Sequence, residues 1–141
     1  MSEQNKANMR RFYDEVFNAG NTSVVDELVA PDFVEHEEFP GLSGGRDGLK
    51  QFVTMMRTAF PDARMDVHDL MADGDKVVAR LTMSGTQRGD FFGIPASGKS
   101  MSVTTIDIIR FENGQAVEHW GATDSAKMLE QLGAIPSPGT A

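Results

Sequence analysis

Residues 103–124 read VTTIDIIRFENGQAVEHWGATD, and this stretch decides the predicted fold. Two runs of alternating apolar and polar residues flank Asn113-Gly114. Asn-Gly between such runs is the strongest local signal for a β-hairpin, because both residues tolerate the positive φ of a tight turn. The stretch therefore predicts a long antiparallel hairpin. It also carries the densest group of titratable and aromatic side chains in the chain, and we expect it to supply most of the chemistry: Asp107, His119, Trp120 and Asp124.

The composition excludes cysteine-based sites and disfavours two classes of partner. The chain has 141 residues, a formal net charge of −8 and no cysteine. Without cysteine there is no disulfide, thiolate nucleophile or thiolate metal site. The negative charge, with scattered Lys and Arg, disfavours nucleic acid and anionic membranes as partners. We expect one domain over residues 1–141 with a frayed tail from about residue 134, and a cytoplasmic location, because the amino terminus lacks an apolar signal segment.

Apolar periodicity outside the hairpin predicts helices first and strands later. The spacing i, i+3, i+4, i+7 indicates amphipathic helices over residues 2–18, 22–28 and 47–60, and a closing helix over 125–132. A short extended piece is expected at 31–39, and alternation predicts strands from 63 to 86. Helices followed by four long antiparallel strands favour the α+β class: a curved antiparallel sheet wrapped over the N-terminal helices, forming a cone with an apolar pocket.

Residues 93–100, GIPASGKS, match the phosphate-binding loop G-x-x-x-x-G-K-S. That loop functions only where a helix follows, because the helix amides hold the phosphates. Here the following residues are β-branched and alternating, which predicts a strand, and Pro95 removes one amide. We therefore interpret the segment as a connection between strands near the mouth of the cone.

Six segments of the chain resemble the SnoaL-like polyketide cyclases, in the superfamily of ketosteroid isomerase, limonene epoxide hydrolase and nuclear transport factor two. They are FYDEVFNAGN (12–21), PDFVEH (31–36), GGRDGLKQF (44–52), GDFFGIPASGKSM (89–101), DIIRFENGQAVEHWGATD (107–124) and LEQLG (129–133). The resemblance implies a cystatin-like α+β barrel and an intramolecular aldol ring closure in a polyketide ester, without metal or nucleotide. It also implies that Asp124 is the acid/base and that Asp107 and His36 are polar contacts of the pocket.

The resemblance further implies a homodimer that pairs through the outer face of the sheet. Trp120, Val103 or Ile109 could supply apolar area for that contact.

The residues themselves leave alternatives open at each candidate. Removing a proton beside a carbonyl requires a carboxylate in a dry pocket, which Asp124 would provide, but Asp is also a preferred N-cap for the closing helix. Either His119 or Trp120 points inward, and alternation does not say which. Asp107, between two isoleucines, either pairs with Arg80 or Arg110 or serves the pocket.

The expected substrate contacts combine the hairpin with aromatic and thioether side chains elsewhere: His119, Trp120, Phe12, Phe33, Phe52, Met56, Phe91 and Phe92. We expect no metal, because His36 and its acidic neighbours in an extended run face opposite sides. The resemblance implies that no other cofactor is needed.

Three functions are consistent with these patterns. The first is a cofactor-independent cyclase or isomerase acting on an apolar, carbonyl-bearing small molecule. The second is a non-catalytic binding protein with the same pocket. The third is an epoxide hydrolase, in which Arg80 with Asp107 would form part of an Asp-Arg-Asp set that activates water.

Overall fold

Helices and strands follow one another in the predicted order in the computed structural model, which describes residues 2–37, 39 and 41–136. Residues 137–141 of the expected frayed tail lie outside the described part. Helix α1 (Ser2–Arg11) continues as a π-helical segment (Phe12–Asn18), and a 3₁₀ turn (Thr22–Val24) leads into α2 (Val25–Leu28). The remaining elements are β1 (Val29–Glu35), α3 (Gly45–Ala59), β2 (Arg64–Asp73), β3 (Lys76–Thr86), β4 (Ser100–Glu112), β5 (Gln115–Thr123) and α4 (Ser125–Gln131).

The five strands form an open sheet in the order β1-β5-β4-β3-β2. The α+β class is confirmed, but the expectation of an all-antiparallel sheet is wrong. Strand β1 pairs in parallel with β5, with Val34 opposite Glu118 and Glu35 opposite His119. The reason is the connection: α3 and three strands separate β1 from β5, so the chain is long enough to bring the two strands together in the same direction.

The turn between β4 and β5 and a bulge next to it together set the register of the hairpin. Asn113 and Gly114 both have positive φ, 51° and 78°, as the Asn-Gly signal predicts. Farther from the turn, Asp107 pairs with Gly121, and Ile109 pairs with His119. A slip by one residue would turn every side chain to the opposite face. Between these pairs and the turn the register shifts by one residue, since Phe111 pairs with Ala116 but Arg110 pairs with Glu118. This bulge, and not the turn alone, places His119 on the inner face with Asp107.

The helices cover the inner face of the sheet, and the core lies between the two layers. Inward positions alternate along β3 and β4, and the helical side contributes one apolar face from each helix. The largest fully buried side chains are Tyr13, Phe17, Phe60, Met9, Met56 and Leu81. Burying each large apolar side chain contributes about 1.5–3 kcal/mol, which is offset largely by conformational entropy.

Helix α4 lies beside the part of β4 that extends beyond the end of β5. The backbone amide of Ser102 donates to the Gln131 side chain at 2.8 Å, and the Gln131 amide donates back to the Ser102 carbonyl at 3.1 Å. Met128 is buried against the core. The helix thereby covers a strand edge that would otherwise present unpaired backbone groups.

The phosphate-loop match at 93–100 is a connection between strands, as predicted. Strand β4 begins at Ser100, so the segment does not open a helix. Gln87, fully buried, holds the connection: its side-chain amide donates to the Ile94 carbonyl at 3.0 Å, and Ser97 donates to its side-chain oxygen at 2.7 Å.

The outer face of the sheet carries an apolar row across four strands, in which each residue is paired with the next: Met71, Val78, Ile108 and Trp120. Val103 and Ile109, expected here as dimer contacts, lie on the inner face at 2% and 8% exposure. That expectation was wrong because the register of β4 turns odd-numbered residues inward. Among the described residues, no helix is long and apolar enough to cross a membrane.

Candidate functional site

A cavity of about 310 Å³ lies between the inner face of the sheet and the helices. Its walls are largely apolar and include three of the predicted contacts, Phe12, Phe33 and Phe52. Asp107 and His119, predicted from the hairpin, also line it. The volume falls within the range of small-molecule sites, about 300–1,000 Å³.

Polar side chains converge on one side of this cavity, and we call them the polar cluster: Tyr13, Glu35, Glu37, Asp107 and His119. The Tyr13 hydroxyl donates to Asp107 Oδ2 at 2.7 Å, and His119 Nε2 lies 2.8 Å from Asp107 Oδ1. His119 Nδ1 lies 2.5 Å from Glu35 Oε1, which also accepts from the backbone amide of Glu37 at 2.9 Å. The imidazole is thus held between two carboxylates.

Three strands, the residues after β1 and one helical segment build the polar cluster. Asp107 and His119 are inward positions of β4 and β5, while Glu35 ends β1 and pairs with His119 in the sheet. Tyr13 comes from the π-helical segment, whose wider turn replaces the α-helix at this point in the chain. Single π-helical turns of this kind are often found at functional sites.

Two of these side chains have strongly shifted pKa values. Burial by itself lowers the pKa of His119, but hydrogen bonds to Asp107 and Glu35, together with their charges, raise it to about 10. Burial and the negative charge of Asp107 raise the pKa of Tyr13 well above its ordinary value. His119 is therefore an imidazolium and Tyr13 a neutral hydroxyl at neutral pH, so both donate hydrogen bonds to Asp107.

Glu37 lies at the edge of the polar cluster and faces the cavity. Thr123 Oγ1 lies 3.5 Å from Glu37 Oε2. Burial and the charges of Asp107 and Glu35 raise the pKa of Glu37, whereas the charge of His119 and the bond from Thr123 lower it. The net shift is upward.

Glu37, Asp107 and His119 are also the group in the described residues that could hold a metal ion, with ligand atoms within 4.8 Å of one another. Their donor set does not fit a metal in this arrangement. Both ring nitrogens of His119 already bond to carboxylates, and a ligating histidine must offer a deprotonated nitrogen. Metal binding would therefore require breaking the bond to Asp107 and removing the imidazolium proton.

Asp124, predicted to be the acid/base, lies outside the cavity. Its carboxylate accepts from the backbone amide of Lys127 at 3.2 Å as the N-cap of α4, and the residue is exposed. The expectation that it faces the pocket was wrong, because β5 ends at Thr123 and the chain turns into the helix. Of the two alternatives for this residue, the structure has the cap.

His36 and Trp120, also predicted for the site, lie on the outer face of the sheet. Their rings stack at 5.0 Å between centroids, and His36 Nε2 lies 2.6 Å from Glu118. Strand alternation explains the correction, because His119 next to Trp120, and Glu35 and Glu37 on either side of His36, point inward. The choice between His119 and Trp120 that the sequence left open is thus decided by the register.

Three further predicted contacts do not line the cavity. Met56 is buried in the core at 1% exposure, and Phe91 packs edge to face against Phe60. Phe92 is 40% exposed and stacks on Phe39, which lines the cavity and stacks in turn on Phe52. Phe92 therefore supports an aromatic wall of the cavity from behind.

Arg80, considered for an Asp-Arg-Asp set with Asp107, faces the opposite side of the sheet. It pairs in register with Ile106, and its guanidinium bonds Asp69 at 2.7 Å. The geometry proposed for an epoxide hydrolase is therefore absent from the described residues around the cavity.

The sequence patterns did not indicate that Tyr13, Glu35 and Glu37 lie in the polar cluster. Tyr13 read as one more apolar position of the first helix. Glu35 and Glu37 follow Phe33 at a spacing of two, so alternation in an extended run places them on the same face. That pattern in PDFVEHEEF was the available signal, and it also places His36 on the other face.

Known proteins resemble this chain over most of its length. The family model of SnoaL-like polyketide cyclases matches residues 7–132. Nogalonic acid methyl ester cyclase of Streptomyces nogalater is 29% identical over 119 residues, covering 83% of this chain and 89% of the relative. Aklanonic acid methyl ester cyclase DnrD of Streptomyces peucetius is 30% identical over 125 residues, covering 84% of each chain.

Solved structures show the same architecture. TsrD from Streptomyces laurentii superposes with a TM-score of 0.87 at 32% identity, covering 96% of this chain and 98% of that one. Wild-type IdmH from Streptomyces antibioticus superposes with a TM-score of 0.79 at 33% identity, covering 92% and 99%.

Proposed function

We propose that this chain, which belongs to the family of SnoaL-like polyketide cyclases, closes a carbon ring in a polyketide methyl ester. The reaction is an intramolecular aldol reaction. Two relatives are named as cyclases of methyl esters, of nogalonic acid and of aklanonic acid. The observation that carries the proposal is the position of Asp107: a carboxylate, held by two hydrogen-bond donors, at the wall of an apolar cavity.

Asp107 is the general base of this proposal. The reaction begins when a base removes a proton from a carbon next to a carbonyl group. A carboxylate within hydrogen-bond reach of that carbon in a dry pocket is suited to the step. Tyr13 and His119 fix the carboxylate from two directions, so its geometry is set before the substrate arrives.

The imidazolium of His119 stabilises the charge that develops. When Asp107 takes the proton, negative charge moves to the enolate of the substrate. A fixed cation beside the enolate, in surroundings of low dielectric, lowers the energy of the transition state. Glu35 keeps His119 charged and oriented through Nδ1, and its role is to position the ring. Proton transfer and carbon–carbon bond formation involve no net oxidation, so this step requires no redox cofactor.

The cavity walls suit the substrate class. Apart from the polar cluster, the lining is dominated by aromatic and aliphatic side chains: Phe12, Phe17, Phe33, Phe39, Leu49 and Phe52. An aromatic polyketide ester offers flat apolar rings to such walls and carbonyl groups to the polar cluster. Stacking and edge-to-face contacts of this kind add about 0.5–1.5 kcal/mol each beyond burial.

The substitution Asp107→Asn tests this function. With aklanonic or nogalonic acid methyl ester as substrate, we expect chromatography to show ring closure by the wild type and a loss of at least about 100-fold in kcat for the variant. Binding, measured by calorimetry, should change little. Asp69→Asn on the outer face is the matched control and should retain wild-type activity.

Two results would contradict the proposal. If D107N cyclises the ester at the wild-type rate, Asp107 is not the base. If the wild type binds the esters without converting them, the chain is a binding protein of the same fold.

We also propose that two copies pair through the outer face of the sheet. Sheet faces in contact with water usually carry polar residues, whereas the row of Met71, Val78, Ile108 and Trp120 is apolar and partly exposed. Charged pairs flank this row: Arg80 with Asp69 on one side and Arg110 with Glu118 on the other. An apolar centre with a charged rim is the anatomy of a protein interface.

A further inference from the structure

Three carboxyl groups surround a single imidazolium in the polar cluster. Two of them, Glu35 and Asp107, each bond one nitrogen of His119. The third, Glu37, bonds neither nitrogen, and its polar contact among the described side chains is the long one from Thr123. Its carboxyl group therefore borders the cavity without a strong partner.

Gly121 makes this convergence possible. A methyl group at position 121 would lie 2.5 Å from Glu37 Oε1, 2.9 Å from His119 Cε1 and 3.0 Å from Asp107 Oδ1. All three groups thus occupy the space directly above the backbone of Gly121. Any larger residue here would push them apart, so the absence of a side chain places Glu37 next to the proposed base.

Charge in this space favours a proton on Glu37. Glu35 and Asp107 contribute two negative charges, and His119 contributes one positive charge. A third carboxylate would add a second uncompensated negative charge in a half-buried position, which is costly. The titratable groups that face Glu37 are Glu35 from β1, Tyr13 from the π-helical segment, Asp107 from β4 and His119 from β5.

We propose that Glu37 is the proton donor of the ring closure, a role that rests on the proposed function. Asp107 removes the proton from the carbon next to a carbonyl, and that carbon forms a bond to the carbon of a second carbonyl group. The π electron pair of this second carbonyl moves to its oxygen, which takes the proton of Glu37 and becomes a hydroxyl.

The cycle balances within the pair of carboxyl groups. After one turnover Asp107 holds a proton and Glu37 is ionised. A carboxylate oxygen of Asp107 lies within 4.8 Å of one of Glu37. The transfer of one proton from Asp107 to Glu37 therefore restores the starting state. Two neighbouring carboxyl groups with opposite protonation states are a recurrent acid/base pair in enzymes.

The substitution Glu37→Gln tests the proposal with aklanonic or nogalonic acid methyl ester as substrate. Gln has the shape of the protonated carboxyl but no proton to transfer. We expect kcat to fall about 100- to 1,000-fold while KM changes less than about threefold. The wild-type kcat should fall as rising pH ionises Glu37, and this alkaline limb should be missing from the residual activity of E37Q. Glu112→Gln, exposed at the far end of β4, is the matched control and should behave as the wild type.

A titration of the wild-type protein gives a readout that needs no turnover. Carboxyl ¹³C NMR should show Glu37 titrating above its ordinary value of 4.5. Replacing Asp107 by Asn removes a neighbouring negative charge and should move that pKa down toward 4.5. The titration of the wild type and of D107N tests the proposal even if E37Q does not fold.

The outcomes separate the two proposals. An active wild type with an equally active E37Q, or a Glu37 that titrates at or below 4.5, overturns the role of Glu37 and leaves the cyclase function in place. A wild type that cyclises neither ester overturns both.

Discussion

His119 is held between Glu35 and Asp107, and this arrangement couples the site to the stability of the protein. Its pKa is raised from 6.5 to about 10 because burial, which lowers it, is outweighed by hydrogen bonds to the two carboxylates and by their charges. In the folded protein the ring binds a proton that it loses near neutral pH in the unfolded chain. The polar cluster therefore stabilises the fold most below about pH 6.5, where His119 is protonated in both the folded and the unfolded state.

Stability should consequently fall as pH rises between about 6.5 and 10. Below this window both states hold the proton and the contribution is complete; within it only the folded state does, so the free energy of unfolding falls by about 1 kcal/mol per pH unit. Denaturant unfolding at a series of pH values measures this slope. His119→Gln should be less stable at pH 6 and show a flatter slope, whereas His68→Gln, on the exposed second strand, should keep the wild-type slope.

An H119Q protein that loses stability with pH as steeply as the wild type would show that another group causes the dependence.

The β4–β5 hairpin is the element that organises the site, and α4 is its continuation. The hairpin supplies Asp107 and His119 to the inner face and Trp120 to the outer face. Directly after it, Asp124 caps α4, whose backbone amide at Lys127 donates to the carboxylate. One chain segment thus contains a catalytic carboxylate of the proposed mechanism and a structural one, 17 positions apart in the printed sequence.

Substituting Asp124 separates these roles. Asp124→Ala removes the cap and should lower the free energy of unfolding by about 1 kcal/mol, measured by denaturant titration, with kcat and KM within about twofold of wild type. Asp124→Asn retains a capping oxygen and should match the wild type in both measurements. A large loss of turnover in D124N, with stability unchanged, would return Asp124 to the role of base.

At the scale of the whole molecule, the sheet presents two different surfaces. The inner face forms the core and the cavity. The outer face carries the apolar row across β2, β3, β4 and β5, with Met71 at 58% exposure. A second copy placed on this row would cover it while leaving the cavity, on the other side of the sheet, accessible.

Substitution within the row tests the dimer. Sedimentation velocity at micromolar concentration should show a dimer for the wild type and a monomer for Ile108→Lys, because a buried unpaired charge opposes association. Thr54→Lys, on the exposed side of α3, adds the same charge away from the row and should remain dimeric. A wild type that sediments as a monomer, or an I108K variant that remains a dimer, would contradict this interface.

The sequence by itself determined the elements and their order. The apolar spacing of the first helix, the alternation after Ala63 and the Asn113-Gly114 turn are local signals, because each reflects the period of one helix or the dihedral angles of one turn. The strand after Ser100 likewise separated the phosphate-loop match from a nucleotide site. The α+β class followed from the same local patterns, and the family resemblance rested on the six quoted segments.

Only the tertiary structure decided which side chains meet at the site. Whether His119 or Trp120 faces inward depends on register, and the partners of Asp107 come from residues as distant as Tyr13, 94 positions away. The parallel pairing of β1 with β5 brings Glu35 and Glu37 to His119, and no period within a single strand encodes that neighbour. The physical reason is range: turns and helices are fixed by contacts along the chain, whereas an active site is fixed by the packing of elements that are separate in sequence.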